Sequence, residues 1–304
     1  MNISQWINRV AEELDAARLF YGHGTDNPSD EAAWLVMHAA GVPLDGSFED
    51  WDKSLNAEQE SAVLSTLARR VEEGKPLAYI LGSAWFAGLE FEVTPAVLVP
   101  RSPIAELIAE RFEPWITGET ISRALDLGTG SGCLAIAMAS RMPQIMVDAS
   151  DISPEALAVA KRNVSRHKLE NRVRLIQSDL FAGLPGEPYD LIVSNPPYVS
   201  EVSMQALPTE YRAEPELGLV SGQDGLDACL QIMVQSADFM TDTGILVCEV
   251  GESDEALQAA LPDVPFIWLE FSEGGSGVFV MGREELQQSA ASVRQLIEER
   301  EHVT

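Results

Sequence analysis

The chain has 304 residues, 46% of them hydrophobic, enough to bury the core of one large domain or two unequal ones, which excludes global disorder. Its 48 acidic residues against 20 basic give a formal net charge of −28, unsuited to holding nucleic acid by neutralising phosphates. No apolar run reaches membrane-spanning length, no basic-then-apolar leader follows Met1, and Cys133, Cys229 and Cys248 are scattered without metal spacing, so no membrane contact, metal or disulfide framework is expected and a reducing cytoplasm fits best. The acid surplus serves either as a solubilising surface or as a long-range attractor for a basic partner.

Residues 2–20, 28–40 and 56–73 carry apolar residues at helical spacing and predict a small helical domain. In the second stretch, Asp26 to Asp30 supply capping and acidic first-turn residues, and Gly41 stops the helix. "WFAGLEFEVTPAVLVPR" alternates around Gly88, as a hairpin does. From about residue 120 strands and helices alternate. "ISRALDLG", "QIMVDASD", "RVRLIQSD", "YDLIVSN", "GILVCEVG" and "PFIWLEF" read as strands. "CLAIAMASRM", "SPEALAVAKRNVSRH" and "GLDACLQIMVQSADFM" read as helices, and "GVFVMG" as a last short strand. This pattern predicts an α/β fold, a largely parallel sheet with helices on both faces. The tail, 283–304, is charged, and is expected to be weakly helical and partly disordered.

Ligands of such sheets sit beyond the carboxyl ends of the strands, where strand order reverses. "LDLGTGSGCLAIA" places Gly128, Thr129, Gly130 and Gly132 between a strand and a helix. That is either a cofactor loop or a simple tight turn. Asp151 ends the second strand, where an acid can hold ribose hydroxyls. "SDL", with Asp179 and Leu180, ends the third; Asp179 either accepts from an adenine amino group or caps the next turn. Asp126 ends the first strand. A carboxylate there opposes the phosphates of a dinucleotide and suits a cofactor with a cationic amino-acid end, which points to S-adenosylmethionine.

"NPPY", Asn195 to Tyr198, follows the strand "YDLIVS". It holds a carboxamide and an aromatic ring on stiff backbone, with no acid, base or thiol beside them in sequence. "DLGTGSG", Asp151, "SDL" and "NPPY", in this order and spacing, resemble the class I S-adenosylmethionine-dependent methyltransferases. "NPPY" recurs in those that methylate a nitrogen conjugated to a planar group. "PLAYILGSAWFAGLEFEV", "VLVPRSP" and "EPELGLVSGQDGL" are similar to the protein glutamine methyltransferases, over essentially the whole chain.

The resemblance implies a Rossmann-like seven-stranded domain behind a small helical domain and a β-hairpin. The boundaries are then 1–82 for an N-terminal substrate-recognition domain and 83–102 for the hairpin connector. Residues 103–282 form the S-adenosylmethionine-binding catalytic domain, and 283–304 the tail. It also implies a cofactor site of Asp126, Gly128, Thr129, Gly130, Gly132, Asp151, Asp179, Leu180 and Asn195. The substrate site is Asn195, Pro196, Pro197 and Tyr198. The Asn195 oxygen and Pro196 carbonyl accept the two N–H groups of a glutamine amide, and the Tyr198 ring packs on its face.

Two bacterial branches of the family act on different proteins. "YGHGTDNPSDEA", "EVSMQALPTEYRAEPELGLVSGQDGL" and "DVPFIWLEFSEGGSGVFVM" resemble the branch acting on large-subunit ribosomal protein L-three, a basic partner. The alternative is the Gly-Gly-Gln motif of peptide-chain release factors, whose branch has an acidic pair where this chain reads "PRSPIAEL". Two readings of other classes are amino-group methylation of nucleic acid, opposed by the acidity, and a non-catalytic assembly factor, opposed by the intact "NPPY". Glu214 and Asp224 line the site mouth or cap helices. Arg101 touches substrate or joins the domains by an ion pair. Glu249, Cys133 and Cys229 are expected to be structural.

Overall fold

The computed structural model describes residues 1–272 and 274–302; residue 273 and the last two positions of the tail lie outside the described residues. The chain divides into two compact units. The first comprises Met1–Pro95, Val99–Arg101 and Pro208–Glu214, and the second the remainder.

In the first unit the three predicted helices are α1 (Ile3–Ala16), α2 (Pro28–Ala40) and α3 (Ala57–Glu73). Asn2 and Asn56 begin α1 and α3 with reciprocal capping boxes to Gln5 and Gln59. Asn27 caps α2, Pro28 opens its first turn, and Gly41 ends it in the left-handed conformation. A short helix unforeseen in the sequence, α4 (Leu77–Leu81), leads into the hairpin of β1 (Ser83–Phe86) and β2 (Leu89–Glu92). Phe86 pairs with Leu89, so the connection is the two residues Ala87 and Gly88, both at positive φ, the turn that matches strand twist.

The expected boundaries differ here from the observed ones. The hairpin belongs to the helical unit, because Phe91 and Phe86 bury their rings there instead of forming a free connector. The return segment 208–214 belongs to it too, held by buried charge. Arg70, 1% exposed, donates to Glu31 at 2.7 Å, to Glu210 at 3.3 Å and to the Phe20 carbonyl at 2.8 Å. Glu214 accepts from the Val99 N–H at 3.0 Å and from both Arg101 terminal nitrogens at 2.7 and 2.5 Å. Burial pushes the Glu214 carboxyl up, but the hydrogen bonds from Arg101, with the His23 ring 3.5 Å away, outweigh it and hold it down at about 2. Glu214 is therefore no helix cap, and Arg101 ties together pieces of one unit.

The second unit opens with α5 (Ile104–Ala109) and then alternates: β3 (Arg123–Leu127), α6 (Cys133–Arg141), β4 (Met146–Asp151), α7 (Pro154–Arg166), β5 (Val173–Gln177) and β6 (Tyr189–Ser194). After α8 (Glu201–Ala206) come α9 (Asp227–Ser236), β7 (Met240–Glu249), α10 (Asp254–Ala260), β8 (Ile267–Trp268), β9 (Val278–Gly282) and α11 (Arg283–Glu301). The seven strands lie in the order β5-β4-β3-β6-β7-β9-β8, and only β9 runs against its neighbours. The first two crossovers build one side of β3 and the third returns to the other. The order therefore reverses between β3 and β6, at the carboxyl ends that carry the glycine loop and "NPPY".

The tail corrects its expectation: it is a 19-residue helix. Leu286 and Val293 are each 1% exposed, and Leu296 and Ile297 pack on the same core cluster as α9 and β7. Their spacing keeps one apolar stripe on a helix charged elsewhere, and that charge masks it in composition.

Candidate active site

Each candidate residue of the cofactor set lies in the second unit at the carboxyl ends of β3, β4, β5 and β6. Leu127 and Ser194 end adjacent strands, and the Ser194 hydroxyl donates to the Leu127 carbonyl at 2.7 Å, stapling the reversal point. Between β3 and α6, Gly128, Gly130 and Gly132 all take positive φ. They are not equivalent. A side chain at Gly132 would meet Ile136 at 3.3 Å and Ala160 at 3.4 Å, so this glycine serves the packing of α6 on α7. At Gly128 and Gly130 a side chain would meet no atom within 4 Å, so these two present bare backbone to open space.

Asp126 is fully buried. Its Oδ2 accepts from the Thr129 hydroxyl at 2.6 Å and from the Ala135 N–H at 3.0 Å, which fixes the loop. Its Oδ1 is buried without a hydrogen-bond partner among the described residues. Burial raises the carboxyl to about 7. An unpaired buried carboxylate oxygen is costly unless a donor or cation occupies it. Asp151 accepts one backbone N–H on each oxygen, from Gly130 at 2.8 Å and Ser153 at 2.9 Å, leaving a lone pair on each for a diol; burial raises this carboxyl too. Asp179 is exposed beside Leu180, whose positive φ is held by a bond from the Ser178 hydroxyl to its carbonyl at 2.6 Å. A cationic amino-acid end, a ribose and an adenine thus find an orphan acceptor, two free lone pairs and an exposed carboxylate, which is a fit to S-adenosylmethionine.

Asn195 follows β6, half-buried, and its carboxamide has no hydrogen-bond partner among the described residues. Pro196 is buried and Pro197 half-buried, which anchors the turn. Tyr198 is held more firmly than its sequence context suggests. Its hydroxyl donates to Glu249 Oε1 at 3.3 Å, and the other Glu249 oxygen accepts from the Ser102 hydroxyl at 2.5 Å. A methyl group on Gly251 would lie 2.5 Å from the ring, and one on Gly225 would strike the Tyr198 carbonyl. That carbonyl accepts from the Ser253 hydroxyl at 2.8 Å. Sequence reading missed Ser102, Gly225, Gly251 and Ser253 and gave Glu249 a structural part only. The one available signal was the glycine in each of "EVG" and "QDGL". Cys229 and Cys248 are fully buried, and no described cluster of His, Cys, Asp and Glu could hold a metal ion.

The hydroxyl bond sets what Tyr198 variants should do. Tyr198→Phe removes the bond from the hydroxyl to Glu249 Oε1, so it should lose activity about three- to tenfold, and Tyr198→Ala considerably more. Steady-state rates of the two variants check this; equal losses would put the whole contribution in the hydroxyl.

A model of the "Methyltransferase small domain" matches residues 105–210, and one of the "PrmC N-terminal domain" matches residues 6–82. The solved hMettl16 catalytic domain, in complex with a MAT2A 3′UTR hairpin, is 18% identical with TM-score 0.50, covering 73% of this chain and 80% of that one, and is similar in fold alone. Sheet order, glycine loop and strand-end acids define a class I methyltransferase, the class that takes its methyl group from S-adenosylmethionine. Curated relatives named "Ribosomal protein uL3 glutamine methyltransferase" cover nearly all of the chain. That of Xanthomonas campestris pv. campestris is 49% identical over 93% of this chain and 92% of its own. That of Neisseria meningitidis serogroup A is 49% identical over 91% of each. That of Xylella fastidiosa is 50% identical over 91% of this chain and 88% of its own. The chain belongs to the ribosomal protein uL3 glutamine methyltransferase family.

Proposed function

We propose that the chain transfers a methyl group from S-adenosylmethionine to the side-chain amide nitrogen of a glutamine in ribosomal protein uL3. The observation that carries the chemistry is the Asn195 carboxamide, without a hydrogen-bond partner among the described residues and set on proline-stiffened backbone. The relatives' names support the substrate. When bound, the cofactor supplies an electrophilic methyl on a sulfonium. The protein supplies placement. An amide nitrogen is a weak nucleophile because its lone pair is delocalised into the carbonyl. The Asn195 oxygen and the Pro196 carbonyl accept its two N–H bonds, raise electron density on nitrogen and aim it. The fixed Tyr198 ring walls the amide face. The amide proton leaves after attack, so no strong base is needed, and none stands in "NPPY".

Asp126 Oδ1 is the acceptor for the ammonium of the cofactor, with the glycine loop beside its carboxylate, Asp151 at the ribose and Asp179 with Leu180 at the adenine. The sign of the pH effect follows. Burial favours the neutral acid in the free protein, with a value of about 7, while a cation favours the carboxylate. Binding therefore releases a proton below about pH 7. Cofactor affinity should weaken as pH falls through this range, approaching tenfold per unit well below it. Calorimetry in buffers of differing ionisation enthalpy reads the released proton directly. A pH-independent affinity from 6 to 8 would move the ammonium contact off Asp126.

The substrate is a basic protein met by a chain of net charge −28. The enzyme acts on free uL3, before rRNA covers the basic surface, in the cytoplasm; three unpaired cysteines suit that compartment. Among the described residues no helix is long and apolar enough to cross a membrane. The deciding experiment is transfer of labelled methyl to free uL3, to intact large subunits and to a release factor at matched salt. Free uL3 should be the best substrate, and kcat/KM should fall steeply with salt while cofactor binding changes little, since exposed charges are screened within about 8 Å at physiological ionic strength. Faster transfer to the release factor would reassign the substrate. Faster transfer to intact subunits would overturn the order of events.

A further inference from the structure

The last turn of α11 reaches the loop beneath Tyr198. Arg300 Nη1 donates to Asp224 Oδ2 at 2.6 Å, and Nη2 donates to Asp224 Oδ1 and to Asp227 Oδ1, each at 2.6 Å. One guanidinium thus grips two carboxylates, bidentately that of the loop residue Asp224 and once that of Asp227 at the start of α9. These acids would repel each other without it. The loop has no slack on its other side. Gly222 is glycine because the Asp227 carboxylate fills the place of a side chain, and Gly225 because the Tyr198 carbonyl does, both at positive φ. The Ser253 hydroxyl spans the two, donating to the Tyr198 carbonyl at 2.8 Å and to the Asp224 carbonyl at 3.4 Å. Backbone on either side is paired as well: Val199 N–H to the Leu219 carbonyl at 2.8 Å, Ser221 N–H to the Val199 carbonyl at 3.0 Å, and Glu201 N–H to the Gly222 carbonyl at 3.0 Å. The body of α11 is anchored independently. Its apolar stripe lies on the core, and Arg283 Nε at its first turn donates to the Ala237 carbonyl at 3.0 Å.

We propose that Arg300 is a positioning residue for methyl transfer: the C-terminal helix clamps loop 222–227 against Tyr198 and so fixes the wall on which the substrate amide lies. This rests on the reading of Tyr198 as part of the substrate site. Ion pairs at a surface contribute little to global stability. Here the contribution is to placement, where an error of about 1 Å can cost up to about 10²-fold in rate.

The test compares Arg300→Ala, Arg300→Lys, Asp224→Asn, the Arg300→Ala/Asp224→Asn pair and the control Arg283→Ala. Arg300→Ala should lower kcat about ten- to a hundredfold, with the S-adenosylmethionine Kd within about twofold of the parent. Arg300→Lys, which keeps charge but loses the fork, should recover part of the loss. The pair should be no worse than its more impaired single variant, since both remove one contact. Arg283→Ala should stay within about twofold. A kcat for Arg300→Ala within twofold of the parent overturns the proposal, as does an equal fall for Arg283→Ala. If Arg300→Ala does not fold, Arg300→Lys carries the same criterion. A parent chain inactive on uL3 would defeat the substrate reading instead. The clamp is then judged by fluorine NMR of 3-fluorotyrosine placed at residue 198, whose single line should shift or broaden in the Arg300 variants and not in Arg283→Ala; an unchanged line rejects it.

Discussion

Asn195→Ala should lower kcat by about 10²–10³, the loss typical of one preorganised hydrogen-bonding group acting in the transition state, and should leave cofactor affinity within about threefold. The split is the informative part. The carboxamide has no hydrogen-bond partner among the described residues, so its removal breaks no internal bond there, and the fold should survive. Asn195→Asp keeps an acceptor oxygen but brings a charge that must be desolvated against a neutral amide, and should be nearly as poor. Single-turnover transfer with saturating cofactor measures the chemical step apart from binding. A near-normal turnover in Asn195→Ala would end the view that the carboxamide orients the target amide.

Asp151→Ala should weaken S-adenosylmethionine by about 1.5–3 kcal/mol, the range for hydrogen bonds to a charged acceptor, which is roughly ten- to more than a hundredfold in Kd. Its two oxygens already accept from Gly130 and Ser153, so alanine loses both the ribose contacts and the tie between the glycine loop and the start of α7. Asp151→Asn retains one acceptor and should weaken binding less than alanine does. Titration calorimetry on both variants separates these contributions, and an unchanged Kd in Asp151→Ala would place the ribose elsewhere.

The sheet was legible because all but the edge strand β8 are short runs ending at or near Gly, Asp or Asn, and the helices between them keep a 3.6-residue stripe. The strand-end residues of the site were legible for the same reason, since a motif that must sit at the end of a strand is continuous in sequence. What surrounds Tyr198 was not. Ser102, Asp224, the pair Glu249 and Ser253, and Arg300 come from four separate places in the chain, and no local spacing links these places. Arg300 was lost for a further reason: its helix is mostly charged, and only Leu286, Val293, Leu296 and Ile297 show that one side is covered. The return of segment 208–214 to the helical unit was hidden likewise, because Glu210 and Glu214 look like surface acids until their arginine partners are known.

That return segment limits how the chain can be cut. A fragment ending at residue 95 would keep the Arg70–Glu31 pair but lose Glu210 and Glu214, the carboxylates that also face Arg70 and His23. Leaving buried polar groups short of a partner in this way costs about 1–3 kcal/mol each, a large share of what a domain of that size has to lose. Grafting this unit onto another methyltransferase would therefore require three pieces, the leading stretch, Val99–Arg101 and the seven-residue return, made as one exchange.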